Sequence, residues 1–106
     1  MPPRPSRGFP PIATPAARVL ILGSLPGQVS LARTQYYAQP HNAFWRIMGA
    51  LVCAGLELPY EERALRLQEA RIALWDVCRS ASREGSLDAA IDLASVVPND
   101  FRAFFA

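Results

Sequence analysis

Two continuous runs of hydrophobic residues are typical of buried strands. Residues 18–22 are mostly apolar and end at Gly23, and residues 72–78 repeat the pattern later in the chain. Continuous apolarity, unlike strict alternation, indicates a strand that is buried on both faces, as in a parallel sheet. The segment from Gly23 to His41 has no period and contains Gly, Pro, Ser and Gln, which predicts a long irregular loop.

Elsewhere the spacing of apolar residues is helical. From Asn42, hydrophobic side chains recur at intervals of three and four residues, and Gly55 is the predicted C-terminal stop. A second helix is expected over about residues 60–69. Ser86 is the expected N-cap of a helix over residues 87–94. The order strand, loop, helix, helix, strand, helix predicts an α/β fold with a parallel sheet.

The two ends of the sequence differ in composition from the rest: the first is rich in proline and the last is rich in phenylalanine. Six of the ten prolines lie in residues 1–15, so we interpret residues 1–17 as an extended arm, which Phe9 and Ile12 could pin to the domain. Near the other end a short helix is expected to start at residues 98–100 and to carry three phenylalanines on one face, Phe101, Phe104 and Phe105.

The predicted sheet is small for a core. Two parallel strands bury little surface by themselves. We therefore interpret residues 18–106 as the N-terminal part of a larger α/β domain. A short protein that completes its sheet by dimerising is the alternative.

Composition narrows the class of protein. The chain has 106 residues, 51% of them hydrophobic and 19% charged, which is typical of one small globular domain. No apolar run approaches the ~18 residues of a membrane span, and no signal peptide opens the chain, so we expect a soluble protein of the bacterial cytoplasm. The eleven basic residues are all arginine and the net charge is only +2, too little to predict nucleic-acid binding from charge alone.

Metal binding is not expected. The chain has two cysteines, Cys53 and Cys78, and one histidine, His41, in no ligand spacing. Both cysteines are predicted to be buried free thiols. In the second apolar run Trp75 is expected in the core, and Asp76 is expected to tie a neighbouring loop or helix end.

Candidate ligand-binding residues are expected in the loop after the first strand, because ligands of open α/β sheets bind at the carboxyl ends of the strands. The sequence Gly-Ser-Leu-Pro-Gly over residues 23–27 fits neither a triphosphate loop nor a dinucleotide fingerprint. Tyr36 and Tyr37 follow outside any periodic element, where aromatic rings can stack on a flat ligand such as a nucleobase. Asn42 is either a helix cap or a neutral amide that orients a water or reads a base edge, and one side chain can do both.

Four segments taken together resemble the uracil-DNA glycosylase superfamily, and within it the hypoxanthine-DNA (deoxyinosine) glycosylase branch. The resemblance covers about residues 9–105. The segments are Gly-Ser-Leu-Pro-Gly at 23–27, Tyr-Tyr-Ala-x-Pro-x-Asn-x-Phe-Trp at 36–45, Leu-Trp-Asp-Val at 74–77 and Arg-Glu-Gly-Ser-Leu-Asp at 83–88.

This resemblance implies a three-layer αβα domain with a four-stranded parallel sheet. It also implies a monofunctional glycosylase that uses water and neither metal nor cofactor to cut the N-glycosidic bond of a deaminated base, hypoxanthine or uracil. The substrate would be double-stranded DNA from which the base is flipped. A full-length protein of this kind would be a monomer.

Site residues follow from the same resemblance. Tyr37 matches the aromatic residue that stacks on the extruded base, and Asn42 matches the asparagine that we expect to be catalytic. The mismatch-specific uracil and thymine glycosylases of the same superfamily have asparagine where this chain has Leu25. The resemblance therefore implies that Asn42 carries out the catalytic step here, and it argues against efficient uracil excision by the mechanism of those enzymes. The backbone that lines the base site would come from Gly23, Ser24, Leu25, Pro26 and Gly27.

The chain departs from the branch in two respects. Gln39 and His41 stand where the branch has histidine and arginine, so Gln39 can hydrogen-bond but cannot carry a proton. The later strands and the C-terminal loop that presses into DNA have no counterpart in these residues.

Two alternatives belong to other classes. One is a non-catalytic protein that binds damaged or single-stranded DNA, with phosphates met by Arg33, Arg46, Arg79 and Arg83. The other is a hydrolase that uses Ser24 or Cys78 with His41, although the chain lacks a G-x-S-x-G elbow.

Overall fold

The structure, a computed structural model, describes residues 5–105. Pro2 and Pro3 of the predicted arm lie outside the described residues. The strands are β1 (Ser6–Arg7), β2 (Val19–Gly23), β3 (Ile72–Asp76), β4 (Cys78–Ala81) and β5 (Val97–Pro98). The α-helices are α1 (Gln28–Arg33), α2 (Phe44–Val52), α3 (Tyr60–Glu69) and α4 (Phe101–Phe104), and two short 3-10 turns cover Asp88–Ala90 and Leu93–Ser95.

The two predicted strands form a parallel pair. β2 and β3 run in register from Val19 opposite Ile72 to Gly23 opposite Asp76, which confirms the α/β prediction. The prediction that both strands are buried on both faces is correct for β3 but wrong for β2. Val19 and Leu22 are 55% and 49% exposed, because within residues 5–105 β2 has only β3 beside it. The described residues thus hold two parallel strands, where the resemblance implies four.

A second sheet was not predicted. β4 lies between β1 and β5, and both pairings are antiparallel. Strands of two residues are too short for any hydrophobic period to show in the sequence, and the apolar run over 72–78 divides at Val77 into β3 and the start of β4.

The proline-rich arm contacts the domain at several points. β1 is an edge strand, Gly8 N–H donates to Arg79 O at 2.9 Å, and Ile12 pairs with Leu74 in the backbone. Phe9 and Ile12 pack against the core, which confirms that they pin the arm. The division at residue 17 stays a prediction.

The predicted irregular loop contains a helix, and the helix predicted over residues 87–94 does not form. α1 is only six residues long, too short for periodicity to reveal. Its first turn is capped from a distant part of the chain, because Gln28 N–H donates to Ser86 Oγ at 2.9 Å. Ser86 therefore caps α1, and the residues after it form the two 3-10 turns.

The end of α2 also differs from the prediction. The left-handed residue is Cys53, at φ 61°, rather than Gly55. Gly55 instead packs against Gly49, where an added Cβ would lie 2.8 Å from Gly55 Cα. Cys53 is exposed, so its predicted burial is wrong, whereas Cys78 is buried as predicted.

α3 has the predicted bounds, and α4 begins as predicted. Asp100 Oδ1 accepts from Ala103 N–H at 3.0 Å. The rings of Phe101 and Phe104 each lie 5.0 Å from the Trp75 ring, centroid to centroid, whereas Phe105 is exposed. Among residues 5–105, no helix is long and apolar enough to cross a lipid bilayer.

The main core lies between the parallel pair and helices α2 and α3. Trp45, Leu67 and Leu74 are its fully buried large side chains. The indole N–H of Trp45 donates to Tyr36 O at 2.9 Å, so this core residue also anchors the segment before α2. A second cluster behind the loop after β2 contains Leu25, Cys78 and Ala81.

Candidate active site

A cavity of about 190 Å³ lies at the carboxyl ends of β2 and β3. This is the edge at which open α/β sheets bind ligands. The residues that line it come from the loop after β2, from α1, from the segment before α2 and from the end of β3; they include Pro26, Gly27, Tyr37, Gln39, Asn42 and Asp76. The fold therefore brings Tyr37 and Asn42 to one cavity.

The loop over residues 23–27 meets this cavity only through its second half. Pro26 and Gly27 line the wall. The Leu25 side chain is buried in the second core cluster, and Ser24 Oγ donates to Asp88 Oδ1 at 2.6 Å. Gly23 lies in β2 against the Asp76 carboxylate. The loop thus contributes backbone and Pro26 to the cavity, rather than the side chains of Ser24 and Leu25.

A buried arginine supports the loop from behind. Arg83 is 4% exposed, and its guanidinium donates to Pro26 O and lies 3.6 Å from Asp88 Oδ1. Because Ser24 bonds the same carboxylate, Arg83 and Asp88 together hold the loop. A role for Arg83 on DNA phosphates is therefore wrong.

Tyr37 is held in a strained backbone conformation beside the cavity. Its φ is 53°, in the left-handed region that residues with a Cβ rarely adopt. Its half-buried ring stacks on Phe44, with centroids 4.0 Å apart and planes 26° apart. Burial, with the nearby Asp76 and Asp88 carboxylates, raises the pKa of its hydroxyl. The stack fixes the ring where it lines the cavity.

Asn42 lies one residue before the N-cap of α2, Ala43. Its Oδ1 accepts from Phe44 N–H at 2.8 Å. Because a backbone N–H can only donate, this bond shows which atom of the Asn42 amide is the oxygen. The two Nδ2 hydrogens and the second lone pair of the oxygen take no part in this bond. The predicted cap is therefore displaced by one residue: the Asn42 side chain supports the first turn from the position before the N-cap, and it also lines the cavity.

Asp76 is the site residue that sequence reasoning missed. The predicted tie exists, but through the backbone: Asn99 Nδ2 donates to Asp76 O at 2.7 Å. The side chain is 4% exposed, and its Oδ2 has no hydrogen-bond partner among the described residues. The available signal in the sequence was a charged residue at the end of a predicted buried strand; its register with Gly23 is seen only in the structure.

Burial of Asp76 shifts its titration. Desolvation, reinforced by the Asp88 charge and opposed by Arg83, raises the pKa of this carboxyl to about 6. Near pH 7 the group is therefore mostly ionised, although it is held in a site that disfavours the charge.

This shift predicts a pH-dependent stability. A carboxyl with a higher pKa in the folded state stabilises the fold fully below its unfolded value, 3.8, and loses that contribution as pH rises through about 6. Chemical denaturation of wild type and Asp76→Asn between pH 3.5 and 7.5 should show the wild-type free energy of unfolding falling by up to about 3 kcal/mol relative to the variant. Parallel curves for the two proteins would contradict the shift.

Gly23 is the residue that gives the Asp76 carboxylate its space. A Cβ at Gly23 would collide with Asp76 Oδ1 and come within 3.1 Å of the Tyr37 hydroxyl. Asp76 is buried and the Tyr37 ring is held by its stack on Phe44, so neither group can move aside freely. Gly23→Ala should therefore displace both groups and lower the free energy of unfolding by about 1–3 kcal/mol. Any catalysis in the cavity should slow at least about tenfold, because the displaced groups no longer meet a substrate in the right geometry.

Gly49→Ala is the matched control for this substitution. Its Cβ would meet the Gly55 backbone, which cannot move aside, so stability should fall by about 1–3 kcal/mol while activity of the folded protein is kept. Thermal unfolding and activity of both variants test the pair. Equal activity losses would show that Gly23 has no specific role in the site.

The structure contradicts a hydrolase based on Ser24 or Cys78 with His41. The Ser24 hydroxyl is committed to Asp88. Burial raises the pKa of the Cys78 thiol, which is the opposite of the activation that a nucleophilic thiol needs. His41 is exposed.

Comparison with known proteins identifies the family of this chain. The sequence profile of the Uracil DNA glycosylase superfamily matches residues 10–102. A hypoxanthine DNA glycosylase of Methanosarcina barkeri (strain Fusaro) is 43% identical over 86 residues, which cover 80% of this chain and 54% of that protein. A hypoxanthine DNA glycosylase of Methanosarcina acetivorans is 43% identical over 96 residues, which cover 90% of this chain and 60% of that protein.

The fold agrees as well. The solution NMR structure of a candidate uracil DNA glycosylase from Methanosarcina acetivorans superposes with a TM-score of 0.79 at 40% identity, over 94% of this chain and 62% of that one. The chain thus spans between 54% and 62% of the length of these relatives. The profile match, the identity and the superposition together show that the chain belongs to the uracil DNA glycosylase superfamily.

Proposed function

We propose that the protein is a DNA glycosylase that hydrolyses the N-glycosidic bond of deaminated bases, hypoxanthine above all and uracil less efficiently. The observation that carries the proposal is the convergence of Tyr37, Asn42 and Asp76 on one cavity at the carboxyl edge of the parallel pair. The names of the relatives at 43% identity support the same activity. The base would reach the cavity by leaving the duplex, because a stacked base exposes no glycosidic bond to it.

Each of the two residues expected from sequence has a role in this reaction. Tyr37 stacks on the flipped base with the ring surface that Phe44 leaves uncovered. Asn42 orients the attacking water through its carboxamide. A neutral amide suits this task, because it adds no charge that must be desolvated next to the developing cationic sugar.

Hydrolysis by water is the chemistry that these residues favour. The sugar carbon loses its bond to the base, the bonding electrons leave with the base, and water supplies the new C–O bond and a proton. The 106 residues contain no lysine, since all eleven basic residues are arginine, so no side-chain amine is present to form a Schiff base with the sugar. We therefore propose a monofunctional enzyme.

Leu25 is consistent with weak action on uracil. The mismatch-specific relatives have a water-holding asparagine at this position, whereas here the side chain is buried with Cys78 and Ala81. Two other carboxamides line the cavity, but Gln28 Nε2 donates to Gly85 O and Gln39 Oε1 accepts from His41 N–H. With no amide from residues 23–27, Asn42 is the amide that we expect to act on the water.

The experiment separates turnover from binding. Duplexes that carry one deoxyinosine, one deoxyuridine or only normal bases are incubated with excess protein, and abasic sites are revealed by alkali, while fluorescence anisotropy follows binding. We expect excision in the order deoxyinosine, deoxyuridine, normal duplex. Binding of the deoxyinosine duplex without any abasic product would instead support a non-catalytic DNA-binding protein, with Arg33, Arg46 and Arg79 exposed to meet phosphates.

A further inference from the structure

The strained backbone of Tyr37 needs groups that hold it in place. Its φ of 53° lies in the left-handed region, which a residue with a Cβ keeps only where the surrounding structure imposes it. Because peptide units are planar, the two torsion angles of a residue are set by the orientation of the peptide plane before it and the plane after it. The groups that fix these two planes therefore fix Tyr37.

The peptide plane after Tyr37 is fixed from α1. The N–H of Ala38 donates to Ser30 Oγ at 3.1 Å. Ser30 is itself buried, and its carbonyl oxygen accepts from Gln35 N–H at 3.1 Å. One residue of α1 thus bonds the chain both before and after the pair of tyrosines.

The peptide plane before Tyr37 is fixed from α2, and Tyr36 is fixed from α3. Tyr36 O accepts from the indole N–H of Trp45 at 2.9 Å. The N–H of Tyr36 donates to the Tyr60 hydroxyl at 3.1 Å, and its own hydroxyl donates to Pro10 O at 2.8 Å. Since Tyr36 is bonded through its N–H, its carbonyl and its side chain, it cannot turn to relieve the strain at the next residue.

We propose that Ser30 and Tyr60 are positioning residues that hold Tyr37 in its left-handed conformation and so keep its ring at the cavity wall. Ser30 acts through the N–H of Ala38, and Tyr60 acts through the N–H of Tyr36. Tyr60 is not among the described residues that line the cavity, so its effect is exerted from behind. That the positioned ring stacks on a flipped base rests on the glycosylase function proposed above.

Two substitutions each delete one of these hydroxyls. Tyr60→Phe keeps the ring that meets Trp45 edge to face, and Ser30→Ala keeps a good helix former in α1. Ser95→Ala is the matched control. It also deletes a hydroxyl that accepts a backbone N–H, that of Ser82 at 2.7 Å, but in a 3-10 turn rather than beside Tyr37.

NMR of the 106-residue chain reports the conformation of Tyr37 without any activity. At positive φ the amide hydrogen and the α hydrogen of a residue lie closer together than at negative φ, so wild-type Tyr37 should show a strong NOE between them. Ser30→Ala and Tyr60→Phe should each weaken this NOE, because part of the population relaxes to negative φ. Ser95→Ala should leave it unchanged.

Single-turnover excision from a deoxyinosine duplex measures the consequence for the base. Tyr37→Gly removes the ring where glycine is unstrained, and it should raise the half-saturating protein concentration at least about fivefold, the lower end of what one stacked aromatic ring contributes. Ser30→Ala and Tyr60→Phe should each raise it about twofold to fivefold and keep the maximum rate within about twofold, because the ring is displaced rather than lost. In the Tyr37→Gly protein neither substitution should raise it further.

The outcomes distinguish this inference from the proposed function. A weaker Tyr37 NOE in both variants, without excision by wild type, supports the positioning of Tyr37 and contradicts the activity. Excision by wild type with an unchanged NOE in Ser30→Ala or in Tyr60→Phe overturns the role of that residue and leaves the activity standing. A further rise of the half-saturating concentration in the Tyr37→Gly protein also overturns the inference, because the two residues then act independently of the ring.

Discussion

Asn42→Ala is expected to reduce the rate of excision from a deoxyinosine duplex by about 100-fold to 1,000-fold. This is the range seen when one preorganised polar group is removed from a reacting centre. The substitution removes the amide that orients water in the proposed mechanism. It also removes the bond from Phe44 N–H to Oδ1, 2.8 Å long, so the free energy of unfolding should fall by about 0.5–2 kcal/mol. Single-turnover rates and denaturant unfolding measure the two effects.

Asn42→Ser separates these effects. A serine hydroxyl accepts from the backbone two residues later, as Asn42 does here, but it has no carboxamide. We expect this variant to keep most of the stability and to lose as much excision as Asn42→Ala. If Asn42→Ser or Asn42→Ala excises at the wild-type rate, Asn42 is not catalytic.

Trp45→Ala should have the largest effect on stability. Trp45 is fully buried, its ring meets those of Phe44 and Tyr60 edge to face, and the Arg63 guanidinium lies 4.9 Å from its centroid. Removing a buried tryptophan costs about 3–5 kcal/mol, a large part of the stability of a chain this size. Urea unfolding followed by circular dichroism measures the loss.

Trp45→Phe isolates the indole hydrogen bond. The ring volume is largely kept, but Tyr36 O loses its donor, at a cost of about 1–3 kcal/mol. Because that bond anchors the segment that carries Tyr37, excision should fall with it. A Trp45→Ala protein as stable as wild type would contradict the position of Trp45 in the core.

The spacing of apolar residues predicted those helices and strands in which several residues of one continuous segment face the core. The parallel pair, α2 and α3 each show enough consecutive turns or apolar positions to be recognised. The pattern failed where partners are distant in sequence. β1 and β5 are two residues long and exist because β4 lies between them, and Ser86 caps a helix that begins 58 positions earlier, at Gln28.

Candidate site residues could be predicted only where they lie close together in one segment of the sequence. Tyr37 and Asn42 belong to one short stretch whose resemblance to a family is visible in sequence. Asp76 looked like a structural tie, because its burial, and an oxygen with no partner among residues 5–105, arise only when β3 pairs with β2 at Gly23. Arg83 looked like a surface cation, because nothing in its neighbours along the chain indicates that it reaches Pro26.

Glycosylase activity is tested most directly by single-turnover excision with the 106-residue chain. The substrate is a duplex with one deoxyinosine, compared with the same duplex that has deoxyadenosine at that position. We predict alkali-labile sites at deoxyinosine, formed at least about 100-fold faster than at deoxyadenosine. No product from the deoxyinosine duplex, with a folded protein and excess enzyme, would contradict the assignment of glycosylase activity to this cavity.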